Sequence, residues 1–369
     1  MVMPETSILI KSASSACNIN CSYCFYKKLS AKRDEEFLGM MTYETLKKLV
    51  INALNYADDY CSFVFQGREP TLAGLDFYRE LIKLQKEYNK KQVVIENTIQ
   101  TNGTLVDDEW AKFFAENKFL VGLSLDGTRN VNKYRVDSNG KETFNTLMNT
   151  VSLFNKYKVQ YNIVSVVTSY SVKKTKYIYN FFKEKGFQFQ QYIPCLDDSD
   201  TKSEWSLDAD TYGSFLCELF DIWYDDYVHG GNIDIRMFSN WVQMAAGYMP
   251  ESCGMSGKCN CYFVVEGNGN IYPCDFYCTD EWKLGTIDDD FNNLIKSDKA
   301  KSFVSCSLPV NDKCKKCKYL YLCRGGCRRW REPFINGEPS LNCLCGAYEK
   351  FFEHCIDRIY LLANIIKNK

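Results

Sequence analysis

Apolar positions along the first two-thirds of the chain follow two alternating periods. Short runs rich in β-branched and aromatic residues predict strands at ILIKSA (8–13), CSFVFQG (61–67), VVIENTIQT (93–101), FLVGLSLDG (119–127), YNIVSVVT (161–168) and FQQYIPCL (189–196). Between them, apolar residues recur at spacings of three and four in residues 42–57, 77–91, 107–117, 143–157 and 172–186, which predicts amphipathic helices. Strand and helix in alternation imply an α/β fold with a parallel sheet. Six such repeats, two short of the eight of a complete barrel, predict a partial (β/α)6 TIM-like barrel with its chemistry at the C-terminal strand ends.

The texture changes after about residue 205. A helix is predicted over 208–230, followed by a cysteine-dense segment from Cys253 to Cys345. Within it, FVVEGNGNIYPCDFY reads as a hairpin turning at Asn268-Gly269. Long apolar runs are few there, so ligated metal would have to hold the segment together. At the C-terminus, Tyr348, Phe351, Phe352, Cys355, Ile359, Leu362 and Ile366 form one helical stripe suited to core packing. Two domains are expected, 1–235 and 236–369.

Composition narrows the function classes. Lys+Arg 45 against Asp+Glu 46 gives a net charge of −1, which favours neither nucleic acid nor an anionic membrane as partner. The start of the chain has no secretion signal and no run is long enough to span a bilayer, so a soluble, cytoplasmic protein is expected. Cysteine is the outlier, with 19 residues, while histidine is limited to His229 and His354. An odd cysteine count without an export signal argues for metal ligation rather than disulfides. Thiolate-only ligation means iron–sulfur clusters or all-cysteine zinc.

CNINCSYC places Cys17, Cys21 and Cys24 in the loop after the first strand, where an α/β protein holds a cofactor. Three thiolates can hold three irons of a [4Fe–4S] cube and leave the fourth iron open to a ligand with adjacent amino and carboxylate groups. With Phe25-Tyr26 behind it, this spacing resembles the cluster motif of the radical S-adenosylmethionine superfamily. FQGREP (65–70), QTNGTLVDD (100–108) and SLDG (124–127) resemble that family's cofactor-binding strand ends. The resemblance implies that Tyr26, Gly67, Arg68, Ser124, Arg135 and Leu196 contact S-adenosylmethionine. Arg68 departs from the pattern, because the family usually carries a second glycine at that place. TRNVNK (128–133) departs as well, replacing the Pro-x-x-x-His-Asp neighbourhood that usually follows SLDG.

Cys314-x2-Cys317-x5-Cys323-x3-Cys327, with Cys343 and Cys345 beyond and Cys253, Cys259, Cys261 and Cys274 before, fits either zinc or iron–sulfur by spacing alone. The segment resembles a SPASM domain, which implies two auxiliary [4Fe–4S] clusters and three clusters in all. By motif, one takes Cys253, Cys259, Cys274 and Cys327, and the other takes Cys314, Cys317, Cys323 and Cys345. The remaining cysteines, Cys61, Cys195, Cys217, Cys261, Cys278, Cys306, Cys343 and Cys355, are expected as ordinary thiols.

Within that superfamily, KSASSACNINCSYCFY, FQGREPTLAGLDFY, YPCDFY and CKKCKYLYLCRGGCRR resemble the anaerobic sulfatase-maturating enzymes. The resemblance implies oxidation of a sulfatase cysteine or serine to Cα-formylglycine, with electrons from a ferredoxin or flavodoxin. It also implies a catalytic role for Asp275, which takes a proton from the substrate thiol or hydroxyl. Gln66, Tyr26 and the stretch RMFSN (236–240) are candidate substrate contacts. Two alternatives remain: a SPASM enzyme forging thioether or carbon–carbon links in another peptide, and a metal-binding homologue impaired by Arg68. The short stretch before residue 17 holds no leader-binding domain, which counts against the first.

Overall fold

The computed structural model describes residues 6–195 and 203–367, which form two compact units drawn from interleaved segments. The first comprises residues up to Ser124, Lys133–Tyr161 and Cys261–Phe303; the second comprises Leu125–Asn132, Asn162–Asn260 and Val304 onward.

In the first unit, β1 (Thr6–Lys11), β2 (Tyr60–Phe65), β3 (Val94–Thr101) and β4 (Leu120–Ser124) pair in parallel and in chain order. The predicted helices lie between them, each running for the length over which its apolar face persists. The helix Tyr43–Tyr56 starts where the Thr42 hydroxyl accepts from the Thr45 amide at 3.1 Å, and it buries Leu46, Leu49, Val50, Ala53 and Leu54. Asp107 caps Asp108–Glu116 in the same way, accepting from the Trp110 amide at 2.9 Å. Phe65, Tyr78, Trp110 and Phe119 fill the space between sheet and helices, with edge-on ring contacts of 4.9 to 6.2 Å around Tyr78. The Tyr78 hydroxyl escapes desolvation by donating to the Pro70 carbonyl at 3.0 Å.

One further strand, β8 (Phe263–Glu266), lies parallel to β1 on the side opposite β2. The hairpin expected at Asn268-Gly269 is present: β9 (Asn270–Tyr272) returns antiparallel to β8, and β10 (Gly285–Thr286) adds to β9. Gly269 turns the chain at φ 84°. The register sets Lys11 opposite Glu266, so a residue near the start of the chain and one from the cysteine-rich stretch become neighbours.

In the second unit, β5 (Gln160–Val167, in this unit from Asn162), β6 (Phe189–Pro194) and β7 (Asp234–Ile235) pair in parallel and in chain order. The helices Ala209–Val228, Arg236–Ala245 and Cys345–Lys367 pack together through aromatic side chains. Phe351 stacks on Phe238 at 5.7 Å and meets Trp241 at 4.5 Å. Gly213 lets two of these helices approach closely, since a Cβ there would lie 3.0 Å from the Ala347 Cα. The stripe read along the last helix is core from Phe351 to Leu362, with Phe351, Phe352, Cys355 and Ile359 almost fully enclosed, whereas Tyr348 is partly buried and Ile366, near the helix end, is exposed.

Candidate functional site

The three-cysteine loop is tied down at both ends. Ser14 donates to the Lys11 carbonyl at 3.0 Å and Ala16 to that of Ala13 at 2.9 Å, closing tight turns directly after β1. Beyond Cys17, the Asn20 amide donates to the Val136 carbonyl at 2.6 Å and Ser22 to that of Tyr134 at 3.3 Å. That pairing brings buried Arg135 to the loop, where its Nη1 donates to the Tyr23 hydroxyl at 3.0 Å. The end of β3 supports the other side: Asn102 Nδ2 donates to Asn18 Oδ1 at 2.9 Å and points at Cys17 Sγ from 3.9 Å. An amide aimed at a sulfur suits a thiolate ligand, because it stabilises charge there. Burial raises the Cys17 thiol, so that charge needs such support, or a metal, to persist.

The FQGREP turn completes this corner. Gly67 sits at φ 110°, and a Cβ on it would come within 2.8 Å of the Lys11 side chain, so close packing and torsion both call for glycine. Glu69 is enclosed and fully partnered. Its carboxylate accepts from the Thr71 and Thr101 hydroxyls at 2.5 and 2.7 Å and from the Asn102 amide at 2.7 Å. Burial still raises its pKa, with those hydrogen bonds opposing the rise. Ser124 Oγ accepts from Gln100 Nε2 at 2.9 Å. Tyr26, Gly67, Arg68, Ser124 and Arg135 all lie in the first unit: Gly67, Arg68 and Ser124 at strand ends, Tyr26 on the short helix after the cysteine loop, and Arg135 in the segment hydrogen-bonded to that loop. Leu196 falls outside the described residues.

Asp275 follows β9 and is mostly buried beside Tyr26 and Gln66. The Tyr26 hydroxyl donates to its Oδ2 at 2.6 Å, and Gln66 Nε2 donates to the same oxygen at 3.3 Å and to the Tyr26 hydroxyl at 3.0 Å. Lys11 Nζ pairs with its Oδ1 at 2.9 Å. Lys11 also lies 3.6 Å from Glu266, which pairs with Arg33 at 2.7 Å. Four buried charges therefore alternate in sign, the arrangement that a low-dielectric interior requires. Burial alone would lower Lys11, but the charges of Asp275, Cys278 and Glu266 outweigh it and hold the ammonium above its ordinary value. Burial, then the Asp275 charge, keeps the Tyr26 phenol protonated well above its ordinary range. The two oxygens of Asp275 are thus each held by fixed donors.

Sequence reasoning missed Lys11, Glu266 and Arg33. A signal existed for Lys11, the one charge in the otherwise apolar run ILIKSA, but its partners come from a strand read only as half of a hairpin.

In the second unit, Cys314, Cys317, Cys323 and Cys345 line one small cavity with Tyr319, Tyr348 and Phe352. Four thiols around one apolar-walled space suit a closed four-thiolate site. Cys343 is exposed, with its amide donating to the Trp330 carbonyl at 2.9 Å, and does not line the cavity. Cys253, Cys259 and Cys327 also gather in this unit, close enough for their charges to act on one another. A Cβ on Gly254 would lie 3.8 Å from that of Cys327. Cys274 closes the hairpin of the first unit, directly before Asp275. Of the remaining cysteines, Cys61, Cys195, Cys278 and Cys355 are buried, and burial pushes both Cys61 and Cys278 up to about 12. RMFSN opens the helix Arg236–Ala245, with Phe238 and Asn240 turned into the core.

Comparison with known proteins finds relatives over nearly the whole chain. The radical SAM superfamily model matches residues 12–172. Over 99% of its length, the chain is 46% identical to all of a cysteine-type anaerobic sulfatase-maturating enzyme of Clostridium perfringens. A serine-type anaerobic sulfatase-maturating enzyme of Bacteroides thetaiotaomicron is 32% identical, over 94% of this chain and 88% of that one. A solved structure described as native anSMEcpe with bound AdoMet and Cp18Cys peptide superposes with a TM-score of 0.94 at 45% identity, covering 99% of this chain and 100% of the other.

Proposed function

The chain belongs to the anaerobic sulfatase-maturating enzymes of the radical SAM superfamily, and we propose that Asp275 is its proton acceptor and that its client residue is a cysteine. The protein is a radical SAM oxidoreductase that generates formylglycine on sulfatases, with S-adenosylmethionine and [4Fe–4S] clusters as cofactors. Its fold is the α/β fold of that superfamily with a C-terminal SPASM extension. The cysteine preference follows the relatives: the cysteine-type enzyme is 46% identical and the serine-type one 32%.

In this reading Cys17, Cys21 and Cys24 hold the cluster that binds S-adenosylmethionine, and Tyr26, Gly67, Arg68, Ser124 and Arg135 surround that cofactor. The first auxiliary cluster takes Cys253, Cys259, Cys274 and Cys327, and the second takes Cys314, Cys317, Cys323 and Cys345. When bound, these groups supply a radical that removes hydrogen from the substrate β-carbon and a path for the departing electron. The protein's own part is proton management. Asp275 takes the substrate thiol proton, which makes the adjacent carbon centre a stronger reductant. Lys11 holds one carboxylate oxygen, while Tyr26 and Gln66 aim the other, so the acceptor reorganises little when it works. A sulfatase polypeptide, a ferredoxin or flavodoxin donor and a cytoplasmic setting complete the proposal. Among the described residues no helix is long and apolar enough to cross a membrane.

The observation that carries this reading is the Asp275 carboxylate, fixed by Lys11 on one oxygen and by Tyr26 and Gln66 on the other. The test is anaerobic turnover with a cysteine-containing sulfatase-motif peptide, following 5′-deoxyadenosine and peptide mass. Asp275→Asn should lower formylglycine formation by about 10²- to 10⁴-fold while cofactor cleavage continues. Full activity in that variant refutes the proton-acceptor role. Cofactor cleavage by the unmodified enzyme without a change in peptide mass refutes the substrate.

A further inference from the structure

Arg68 follows Gly67 in the turn after β2, and its backbone is left-handed at φ 50°. An L side chain adopts that conformation at a cost, so its retention calls for a compensating contact. Such a contact is present. Arg68 Nε donates to the Ser15 carbonyl at 2.5 Å, and the next residue, Glu69, donates its amide to the Ala16 carbonyl at 3.2 Å. Two successive carbonyls just before Cys17 are thereby fastened to two successive residues beyond β2. The guanidinium is half-buried, and its Nε sits on the carbonyl two residues before Cys17.

We propose that Arg68 is a positioning residue for the N-terminal cluster: it anchors the backbone entering the cysteine loop and sets a permanent positive charge beside the Cys17 corner, which eases one-electron reduction of that cluster. Reduction adds negative charge to a centre already ringed by thiolates, so a neighbouring cation favours the reduced form and raises its potential. An arginine suits this role because it stays charged at every working pH. The inference rests on Cys17, Cys21 and Cys24 being the ligands of that cluster.

The test is a redox titration of the reconstituted full-length enzyme under anaerobic conditions with titanium(III) citrate. The N-terminal cluster is picked out by the change that S-adenosylmethionine makes in its paramagnetic resonance signal. In Arg68→Gln and Arg68→Gly the reduced-to-oxidised ratio at fixed poise should fall about threefold to tenfold, tenfold being about 59 mV for one electron. Arg68→Lys, which keeps the charge, should stay within about twofold of the unmodified enzyme. Equal ratios in all the proteins overturn the proposal, as does an Arg68→Lys loss as large as that of Arg68→Gln. Should Arg68→Gln fail to retain iron, Arg68→Gly decides, since glycine suits the left-handed backbone. Absence of any cofactor-sensitive signal in the unmodified enzyme overturns the ligand assignment, and so is distinguishable from failure of the charge effect.

Discussion

Cys17, Cys21 and Cys24 fall within eight residues of one loop, whereas Cys314, Cys317, Cys323 and Cys345 reach one cavity from across a much longer stretch. The first group is borrowed support: its loop is hydrogen-bonded to residues 134–136, to Asn102 and to the turn after β2, all anchored in a sheet with its own core. Three of the second group, Cys314, Cys317 and Cys323, lie on or beside short helices, Asp312–Lys315 and Leu320–Cys323, that bury little by themselves, and only Cys345 opens a long packed helix, Cys345–Lys367. Metal should therefore be chemistry at one end and cohesion at the other.

Single ligand removals break that comparison most directly. Cys24→Ala should cost about four irons per chain and all 5′-deoxyadenosine formation, yet leave the thermal transition close to that of the unmodified protein. Cys314→Ala should also cost about four irons, but with loss of amide-exchange protection over residues 312–345 and with cofactor cleavage retained. Equal destabilisation by the two changes would remove the distinction.

Next in size is Lys11, which sharpens the account of the first unit. Lys11→Met leaves Asp275 without its cation, and peptide turnover should fall about tenfold to hundredfold, less than loss of the carboxylate itself. The loss should appear in kcat rather than KM, with Lys11→Arg restoring part of it. An unchanged kcat would show that the buried ion pair serves folding alone.

Smaller effects probe the second unit away from metal. Gly213→Val forces apart helices that nearly touch at Ala347, and should destabilise by about 1–3 kcal/mol in denaturant unfolding of the cluster-loaded protein. Asp208→Ala removes the cap of Ala209–Val228 at about 1 kcal/mol. The Thr211 hydroxyl and amide hold the Asp208 carboxyl below its ordinary value. Its contribution is therefore present above the unfolded carboxyl pKa of about 3.9 and is lost as pH falls through the lower folded value. Unfolding curves of this variant and the unmodified protein should converge in acid.

Much of the scaffold was legible because its signals are local. Strand and helix differ in apolar period, so all six repeat strands appear within a few residues of their expected bounds. The helix ranges 42–57, 107–117 and 208–230 open on the residues that cap them in the structure, Thr42, Asp107 and Asp208, since a cap acts within three residues of itself. The hairpin at Asn268-Gly269 was equally readable, because a short loop with glycine at its left-handed position, here Gly269 of the three residues 267–269, declares its own torsions. What the hairpin joins was not: β8 pairs with β1 across more than 250 residues of chain, and no local pattern records such a partner.

The chain's order alone determined a cysteine triplet able to leave one iron open, a carboxylate beside a cysteine, and a repeating βα pattern to carry them. Tertiary structure decided which of these meet. Placing β8 against β1 set Glu266 and Asp275 beside Lys11, and a left-handed turn sent the Arg68 side chain to the cysteine loop. Buried charges find their partners only through the packing of distant segments, since desolvation, unlike backbone propensity, depends on everything that surrounds a residue.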